Sequence, residues 1–474
     1  MKKRILLTSL VVLVSSFALA QKDKKKIIDA MESKYDHYAG IANELWENPE
    51  LGYLEENSSA LLQEELSKEG FTIEKGVAGI PTAFTATYGS GTPVIGILGE
   101  FDALPGMSQA AEPVFKARVD GAPGQACGHH LFGTGSMAAA IAAKDWLKQS
   151  GKSGTIRFYG TPAEEGGSGK VYMVRAGLFD DIDAIVSWHP WDANNSNPGT
   201  NLATISGKFR FQGNSSHAAA APQLGRSALD GVEGMNDLVN MLREHTTEST
   251  RIHYVITKGG DAPNIVPAEA EVYYVVRHAN REEVKAVWDR VVKAAEGAAI
   301  GTETTMTFEI IGGTYERLPN EALATLMHTN LSIVGGVNYT QQDIDFAKEL
   351  QESLGAAKPL SNASAIAPMV FTYGKASADT GDVSWNAPTA AIRTATWVPG
   401  TPPHSWQAVA AGGTSIGFKG MMVAAKTMAL TAIDIYKSPK LLNEVKAEFN
   451  ERRGADFKYE ALLGDRKPAL DYRK

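Results

Sequence analysis

One thiol and one imidazole, Cys127 and His129, stand two residues apart on a glycine-rich turn before a predicted helix. Both side chains can point at one cation, and a soft sulfur with a borderline nitrogen suits zinc, or less comfortably manganese. Taken alone, such a pair is more often a buried cysteine and a capping histidine. Cys127 is the single cysteine of the chain, so an internal disulfide is excluded and metal ligation would occupy the thiol.

Two adjacent carboxylates, Glu164 and Glu165, follow a predicted strand and precede a glycine pair. At such a position one carboxylate can bind metal while the other stays free as a general base. A solvated acidic loop is the alternative explanation. The segment 166–170 resembles a phosphate-binding loop only superficially, because its spacing is wrong and no Ser or Thr follows Lys170.

Two histidines and an aspartate mark the ends of further predicted elements. His189 and Asp102 each follow an apolar run that predicts a strand, and His404 lies in a turn before a predicted helix. Asp102, Glu165 and His189 would therefore meet at one edge of a sheet, where open α/β sheets bind ligands. A single histidine is more often structural. The candidate ligands now number five: Cys127, His129, Glu165, His189 and His404. Five ligands are more than one tetrahedral zinc with an open position needs, and they suit two metal ions.

The elements that must position these residues alternate between strand and helix. Apolar runs at 93–99, 155–159 and 183–188 predict strands, and the runs 22–44 and 133–149 predict helices. Strands that alternate with helices indicate a sheet packed between helices. The first part of the chain is therefore predicted to be α/β.

From residue 203 the pattern changes to strand, helix, two strands, helix and strand. This order predicts an α+β unit of the split-βαβ, ferredoxin-like kind. The α/β pattern resumes with a predicted strand at 390–398 and a helix at 414–435. We therefore predict a discontinuous α/β catalytic domain with a central mixed sheet flanked by helices, and an inserted α+β lid. The predicted bounds are 21–202 and 315–474 for the catalytic domain and 203–314 for the lid.

Length, charge and the amino-terminal pattern restrict the function classes further. The 474 residues exceed the ~250–300 residues of a single core. A formal charge of −8 disfavours nucleic acid and membranes as partners. Residues 1–20 combine a cationic start, an apolar run and a small-x-small end, which predicts a secretory signal cleaved after Ala20 and a secreted or periplasmic location. A retained membrane anchor is the alternative.

Several segments together resemble the two-metal aminoacylase and metallocarboxypeptidase family, in its branch of hippurate and indole-acetyl-amino-acid hydrolases. The resemblance runs in the same order from about residue 27 to the carboxyl terminus. The segments that carry it are Glu100–Pro105, Ala126–His129, Pro162–Gly166, His189–Pro190, His217–Ala218, His404, 213–230, 262–267, 379–385 and 400–407.

The resemblance implies an amidohydrolase of N-acyl or N-aroyl amino acids, p-aminobenzoyl-glutamate among them. It implies two divalent metal ions, zinc or manganese, with cobalt as a third option. Glu164 would be the base for a metal-bridging water, and Asp102 would orient a metal ligand. The implied metal ligands are Cys127, His129, Glu165, His189 and His404.

The inserted domain also acquires a role through the resemblance. In the family this domain dimerises and supplies a histidine to the partner's site, which here is His217, placed to stabilise the oxyanion. Asn264 and Arg277 match lid residues that hold the substrate carboxylate, to which a guanidinium is well suited. Arg277 could equally be a salt-bridged strand residue. The implied partner is a second copy of the chain, and a heteromer with an A-type subunit stays open.

Two positions depart from the family pattern. Gln125 stands where many relatives have His, and His130 stands where they have Asp or Asn, so His130 could compete with His129 for metal.

Three rival functions are open: a dipeptidase, a catalytically silent binding protein of the same fold, and a non-catalytic zinc scaffold. The silent protein would lack a ligand or the base, and the scaffold would have closely spaced ligands. Sequence does not exclude the dipeptidase.

Overall fold

The computed structural model describes residues 22–474, so the predicted secretory signal over residues 1–20 lies outside the described residues. The strands follow one another in chain order with helices between most of them. They are β1 (Thr72–Lys75), β2 (Phe84–Ser90), β3 (Val94–Gly99), β4 (Gly154–Gly160), β5 (Ala184–Trp191), β6 (Gly199–Thr200), β7 (Ala203–Gln212), β8 (Arg251–Lys258), β9 (Glu269–His278), β10 (Thr305–Thr314), β11 (Thr372–Tyr373) and β12 (Thr389–Ala395).

The helices range from single turns to long core helices. They are α1 (22–32), α2 (Tyr35–Glu47), α3 (Glu56–Lys68), α4 (His129–Ser150), α5 (Glu164–Gly167), α6 (Gly169–Arg175), α7 (Ala228–Leu242), α8 (Arg281–Gly301), α9 (Glu321–Val334), α10 (Gln341–Gln351), α11 (Thr380–Asn386), α12 (Trp406–Gly412), α13 (Ser415–Lys437) and α14 (Pro439–Arg453). The short α5 contains non-helical backbone angles at Glu165 and Gly166.

The central sheet is mixed and has the strand order β1-β2-β4-β3-β5-β12. Strands β4, β3, β5 and β12 run parallel to one another, whereas β1 and β2 are antiparallel to their neighbours. Every residue of β3 is buried, as expected for a parallel strand covered on both faces. The predicted α/β class is confirmed, and four parallel strands end at one edge.

Helices α4 and α13 cover this sheet and pack directly against each other. Small residues allow the close approach, since a Cβ added to Gly135 would lie 3.0 Å from Met421 Cγ and 3.1 Å from the Trp188 ring. Among the described residues, α13 alone is long and apolar enough to cross a membrane, but 83% of its apolar window is buried inside the protein. We therefore read α13 as a core helix.

The inserted unit is a four-stranded antiparallel sheet with the order β10-β7-β9-β8. Helices α7 and α8 pack against each other and on one face of this sheet. The interior is apolar, with Phe209, Val272 and Tyr274 from the strands and Trp288 from α8. The strand order is that of the split-βαβ, ferredoxin-like arrangement, so the predicted α+β class of the insertion is confirmed.

Two predicted elements differ from the observed ones. The predicted helix 22–44 is interrupted, because the backbone N–H of Lys34 donates to Met31 O at 3.1 Å and tightens the chain into a turn. The break lets α2 bury its own face, including Tyr38 and Leu45. Helix α4 begins at His129, four residues before its predicted start, and Gly128 precedes it with a φ of 77°, a conformation that favours glycine.

Candidate active site

The carboxyl edge of the parallel strands gathers the predicted ligands. Asp102 follows β3, Glu164 and Glu165 follow β4, and His189 lies within β5 near its end. His404 lies in the loop between β12 and α12, where its backbone N–H donates to Ala126 O at 3.1 Å. That bond ties the late loop to the segment just before α4, which carries Cys127, and α4 itself begins with the other remaining predicted ligand, His129.

The first group of ligand atoms comprises Cys127, His129 and His189, whose donor atoms all lie within 4.8 Å of one another. Cys127 Sγ is 3.6 Å from His189 Nε2. His189 Nδ1 lies 2.8 Å from the carbonyl oxygen of Pro190, which only an Nδ1–H can satisfy. This bond leaves Nε2 with a free lone pair toward the sulfur. Burial lowers the pKa of His189 to about 3, so the imidazole is neutral, as a ligand must be.

The second group comprises Cys127, Glu165 and His404, again with donor atoms within 4.8 Å of one another. Glu165 Oε1 lies 3.0 Å from His404 Nε2. Cys127 belongs to both groups, so its sulfur lies between a histidine pair on one side and a carboxylate with a histidine on the other. A donor shared in this way suits two adjacent cations.

Asp102 holds one residue of each group. Its Oδ1 accepts a hydrogen bond from His129 Nδ1 at 3.0 Å, and its Oδ2 accepts one from the backbone N–H of Glu165 at 2.9 Å. Burial opposes the charge on this carboxyl, but the neighbouring His129 prevails and holds the pKa of Asp102 below its usual value. An ionised Asp102 thus fixes the imidazole of His129 and the main chain of Glu165 together.

Glu164 belongs to a third group, formed with Glu100 and His129, whose donor atoms lie within 4.8 Å of one another. Burial, then repulsion from Glu100 and Glu165, raises the pKa of Glu164 well above its usual value. Lys170, wholly buried, donates to Glu100 Oε1 at 2.7 Å and to Asp379 Oδ1 at 2.8 Å. The half-buried base position is therefore flanked by charged groups.

The turn that carries Glu164 and Glu165 has an unusual backbone. Ala163 and Ser168 on either side of it have φ angles of 56° and 59°, which cost non-glycine residues on the order of 1–3 kcal/mol each. The buried carboxylate of Glu55 accepts a hydrogen bond from Ala163 N at 2.8 Å. Burial raises the pKa of Glu55 to about 8. Surrounding contacts therefore hold this turn in a strained conformation.

Unpaired atoms test whether these residues fit a metal. Glu100 Oε2, His129 Nε2 and Glu165 Oε1 are buried and form no hydrogen bond among the described residues, although His129 Nε2 lies 3.1 Å from Glu100 Oε2 and Glu165 Oε1 lies 3.0 Å from His404 Nε2. Each carries a lone pair and lies among the nitrogen, oxygen and sulfur donors described above. Such a set suits a borderline divalent cation such as zinc, and a cation would satisfy the lone pairs that the protein leaves open. The residues fit a metal centre.

Two arginines that sequence reasoning missed lie beside the metal-ligand groups. Arg393 pairs in register with His189 across β12 and β5, and its guanidinium lies 4.0 Å from the Trp191 ring centre. Arg317 has a buried Nε without a partner, and burial followed by repulsion from Arg393 lowers its pKa to about 10. Neither arginine forms an ion pair within residues 22–474. Two such guanidiniums are suited to bind an anion.

The lid residues do not join the catalytic cluster within one chain. His217 and Asn264 are exposed neighbours, with the backbone N–H of Ala218 donating to Asn264 O at 3.0 Å. His217 Nδ1 accepts from the backbone N–H of Ala220 at 3.1 Å. Arg277 donates to Ser377 Oγ at 3.2 Å. The described residues offer Arg277 no carboxylate partner within 4.0 Å, so the salt-bridged alternative finds no support within one chain.

His130 does not compete with His129 for metal. It is buried, its Nε2 lies 3.0 Å from the carbonyl oxygen of Gly412, and it belongs to none of the three ligand groups. Gln125 Oε1 accepts a hydrogen bond from the backbone N–H of His130 at 3.2 Å. Both departures from the family pattern therefore belong to the packing of α4 against α12.

Among the residues that sequence reasoning missed, Glu100 had a signal in the sequence and the others had none. Glu100 stands in the same strand-end segment as Asp102, and its buried carboxylate could have been suspected from that position. Lys170 and Asp379 bind each other across 209 positions of sequence. No local pattern links them, nor does one link Arg317 with Arg393.

Comparisons with known proteins address the family and the fold of the chain. A family model described as the peptidase dimerisation domain matches residues 202–303. The chain is 42% identical to the B-type component of p-aminobenzoyl-glutamate hydrolase from Escherichia coli K12, over 90% of this chain and 94% of that protein. It is 25% identical to the Xaa-Arg dipeptidase of Mus musculus, over 92% and 94%. It resembles the fold of a dinuclear metal binding peptidase of the M20 family from Bacillus subtilis, with a TM-score of 0.59 at 18% identity, over 86% and 99%.

Proposed function

We infer that the chain, which belongs to the M20 peptidase family of hydrolases acting on carbon–nitrogen bonds, cleaves the amide bond of N-acyl or N-aroyl amino acids such as p-aminobenzoyl-glutamate. One observation carries the proposal: Cys127 belongs to two ligand groups at the edge that also holds the half-buried Glu164. In this proposal two divalent ions, zinc or manganese, are held by Cys127, His129, Glu165, His189 and His404.

The chemistry follows from what the protein's own groups can do. When bound, the ions supply Lewis acidity, which polarises the amide carbonyl and makes water a better nucleophile near neutral pH. Glu164 takes the proton of the attacking water on a carboxylate oxygen and later gives it to the leaving amine. Burial and neighbouring carboxylates keep its pKa high, which suits a group that accepts and then donates a proton.

The unpaired arginines support an acidic substrate. Arg317 and Arg393 lie beside His189, and neither forms an ion pair within 4.0 Å among the described residues, although Glu100 and Asp192 act on them from farther away. We propose that they bind carboxylates of the amino-acid half of the substrate, together with Arg277 and Asn264 of the lid. A substrate with an arginine side chain, as the name of the mouse relative indicates, would be repelled by the same pair. The site therefore favours acyl derivatives of acidic amino acids over basic dipeptides.

The partner in this proposal is a second copy of the chain, bound through the lid. Strand β8 lies at the edge of the lid sheet, and it exposes Tyr254, Val255 and Ile256. An open, apolar edge strand readily pairs with another chain. His217, exposed on the same unit, is proposed to reach the partner's site and stabilise the oxyanion. An A-type subunit is the alternative partner that the relative's name suggests, and the native mass of the protein purified from its own cells distinguishes the two.

Export is a separate part of the proposal. The cationic start and apolar run of residues 1–20 support a cleaved secretory signal and a periplasmic or secreted location. Amino-terminal sequencing of the protein recovered from the culture medium or periplasm tests this. A mature chain that starts at Gln21 is expected, and an intact chain retained in the cytoplasm would contradict it.

One experiment tests the function as a whole. The purified full chain is analysed for metal and then assayed on p-aminobenzoyl-glutamate, hippurate and a few dipeptides, with the Glu164→Gln variant as the control for contaminating activity. We expect about two divalent ions per chain and chelator-sensitive cleavage that is fastest on the aroyl-glutamate. No metal, and no activity after zinc, manganese or cobalt is added, would overturn the proposal in favour of a silent binding protein.

A further inference from the structure

The last part of the chain crosses from the lid to the catalytic turn. We call residues 457–474 the strap. At its lid end Arg466 donates to Ile311 O at 2.8 Å and pairs with Glu309 Oε1 at 3.2 Å, both in β10. Leu462 packs against Gly313, where an added Cβ would lie 2.7 Å from the leucine Cβ. The strap is therefore anchored along the last strand of the inserted sheet.

The other end of the strap reaches the predicted metal ligand Glu165. Tyr472 Oη donates to Glu165 O at 3.0 Å, and Arg473 Nη2 donates to the same oxygen at 2.7 Å. The Tyr472 ring packs edge-on against Tyr53 with ring centres 5.5 Å apart, and Tyr53 Oη donates to Gly167 O at 2.6 Å. The carbonyl oxygens of Glu165 and Gly167, both in α5, are thus held by Tyr472, Arg473 and Tyr53.

The fit of Tyr472 depends on a glycine. A Cβ added to Gly52 would lie 2.2 Å from Tyr472 Oη, which is closer than a real Cβ can approach. Only glycine at this position lets the phenol reach the Glu165 carbonyl. Gly52, which is far from the strap in sequence, therefore provides the space for the contact between Tyr472 and Glu165.

The main chain of Glu165 is held from two sides. Its N–H donates to Asp102 Oδ2 at 2.9 Å, and its carbonyl oxygen accepts from Tyr472 and Arg473. The turn is strained at Ala163 and Ser168, and a strained conformation persists only when surrounding contacts determine it. Without the strap, Asp102, Tyr53 and Glu55 would remain to hold the turn, but no contact would remain on the carbonyl oxygen of Glu165, and the carboxylates of Glu164 and Glu165 would be held less firmly.

We propose that Tyr472 and Arg473 are positioning residues for Glu164 and Glu165, acting through the carbonyl oxygen of Glu165. The strap ties this turn to β10, so the lid and the metal-binding turn are held by one segment. This inference rests on the proposed function of Glu165 as a metal ligand. It assigns a role in the reaction to residues that contact neither the substrate nor the metal.

The test uses the full chain with Tyr472→Phe, Arg473→Ala and both changes together. Tyr472→Phe keeps the ring packing on Tyr53 and removes only the hydroxyl, so it is expected to fold as the wild type does. The double variant is expected to lose about 10- to 100-fold in kcat, as is usual when partners that orient metal ligands are removed, with KM changed less than about threefold. It should also release one of its two metal ions at a chelator concentration that leaves the wild type loaded.

A matched control separates this role from a general effect on the strap. Lys467 lies on the same segment, and its side chain is exposed, so Lys467→Ala is expected to match the wild type in kcat and metal retention. A double variant that equals the wild type in both readouts would overturn the inference while the proposed function stands. A wild type that binds no metal and cleaves nothing would instead remove the proposed function itself.

Discussion

The catalytic edge of the α/β domain and the interior of the lid are built in opposite ways. The catalytic edge buries Glu100, Asp102, Lys170 and Asp379 within a few ångströms of one another. The lid interior instead buries aromatic and aliphatic side chains such as Phe209, Val272 and Tyr274, and its charged residues pair at the surface, as Arg210 does with Glu271.

The contrast separates stability from function. Apolar burial in the lid stabilises the fold, and the buried apolar side chains need no hydrogen-bond or charged partner. Buried charges at the catalytic edge are costly unless they are paired, and three ligand atoms there, of Glu100, His129 and Glu165, form no hydrogen bond among the described residues, which is expected where a ligand completes the site. Changes at the catalytic edge should therefore alter turnover, metal binding or pH response, whereas changes on the lid surface should act through the second copy of the chain.

The largest effect is expected at the base. Glu164→Gln should lower kcat by about 100- to 10,000-fold, because the amide cannot take the proton of the attacking water. Metal content and thermal stability should stay close to wild type, since Glu164 is not among the five proposed ligands. Steady-state kinetics and metal analysis check this, with Glu64→Gln on the exposed face of α3 as the matched control. A kcat near that of the wild type would remove Glu164 from the mechanism.

The second effect tests whether the lid acts across the dimer. His217→Ala should lower kcat by about 100- to 1,000-fold, as loss of an oxyanion donor does, while the exposed lid variant His245→Ala should not. Mixing His217→Ala with Glu164→Gln should restore about a quarter of wild-type activity, because half the dimers are mixed and each has one complete site. Absence of rescue after confirmed exchange of chains would argue against a histidine donated by the partner.

The third effect concerns substrate choice at the catalytic edge. Arg393→Ala should raise KM for p-aminobenzoyl-glutamate by about 10- to 100-fold, the value of a lost charge-assisted hydrogen bond. KM for hippurate, which has a single carboxylate, should rise less. Arg210→Ala in the lid, which removes a cation already paired with Glu271, is the control and should leave both values unchanged. An equal rise for both substrates would contradict a second carboxylate contact at Arg393.

The smallest effect is a pH dependence of stability. Burial raises the pKa of Glu55 to about 8 from 4.5, so the folded protein takes up a proton that the unfolded chain releases. Wild-type stability should therefore fall as pH rises from about 4.5 to about 8, relative to Glu55→Gln, which has nothing to titrate. Denaturant unfolding across this range measures the difference. The free energy of unfolding of the lid-core variant Phe209→Leu should change with pH as that of the wild type does. A difference in this free energy between Glu55→Gln and wild type that does not change with pH would contradict the raised pKa of Glu55.

Sequence reasoning predicted those features whose signals are local. Strand-end motifs identified Asp102, Glu165 and His189, and the order of strands and helices predicted both sheets. The ion pair of Lys170 with Asp379 and the contact of Arg473 with Glu165, 308 positions apart, carry no local signal. The same holds for Arg317 and Arg393. Such contacts depend on how the chain folds back on itself, and they surround the motifs rather than belonging to them.

Metal content per chain, measured on wild type and on single-ligand variants, tests the central claim most directly. If Cys127 is shared by two cation sites, the wild type should hold about two ions, while His189→Ala and His404→Ala should each hold about one. Cys127→Ala should weaken both sites and hold less than either histidine variant. A wild type with a single ion, or a Cys127→Ala variant that retains both, would contradict a two-metal centre built around this sulfur.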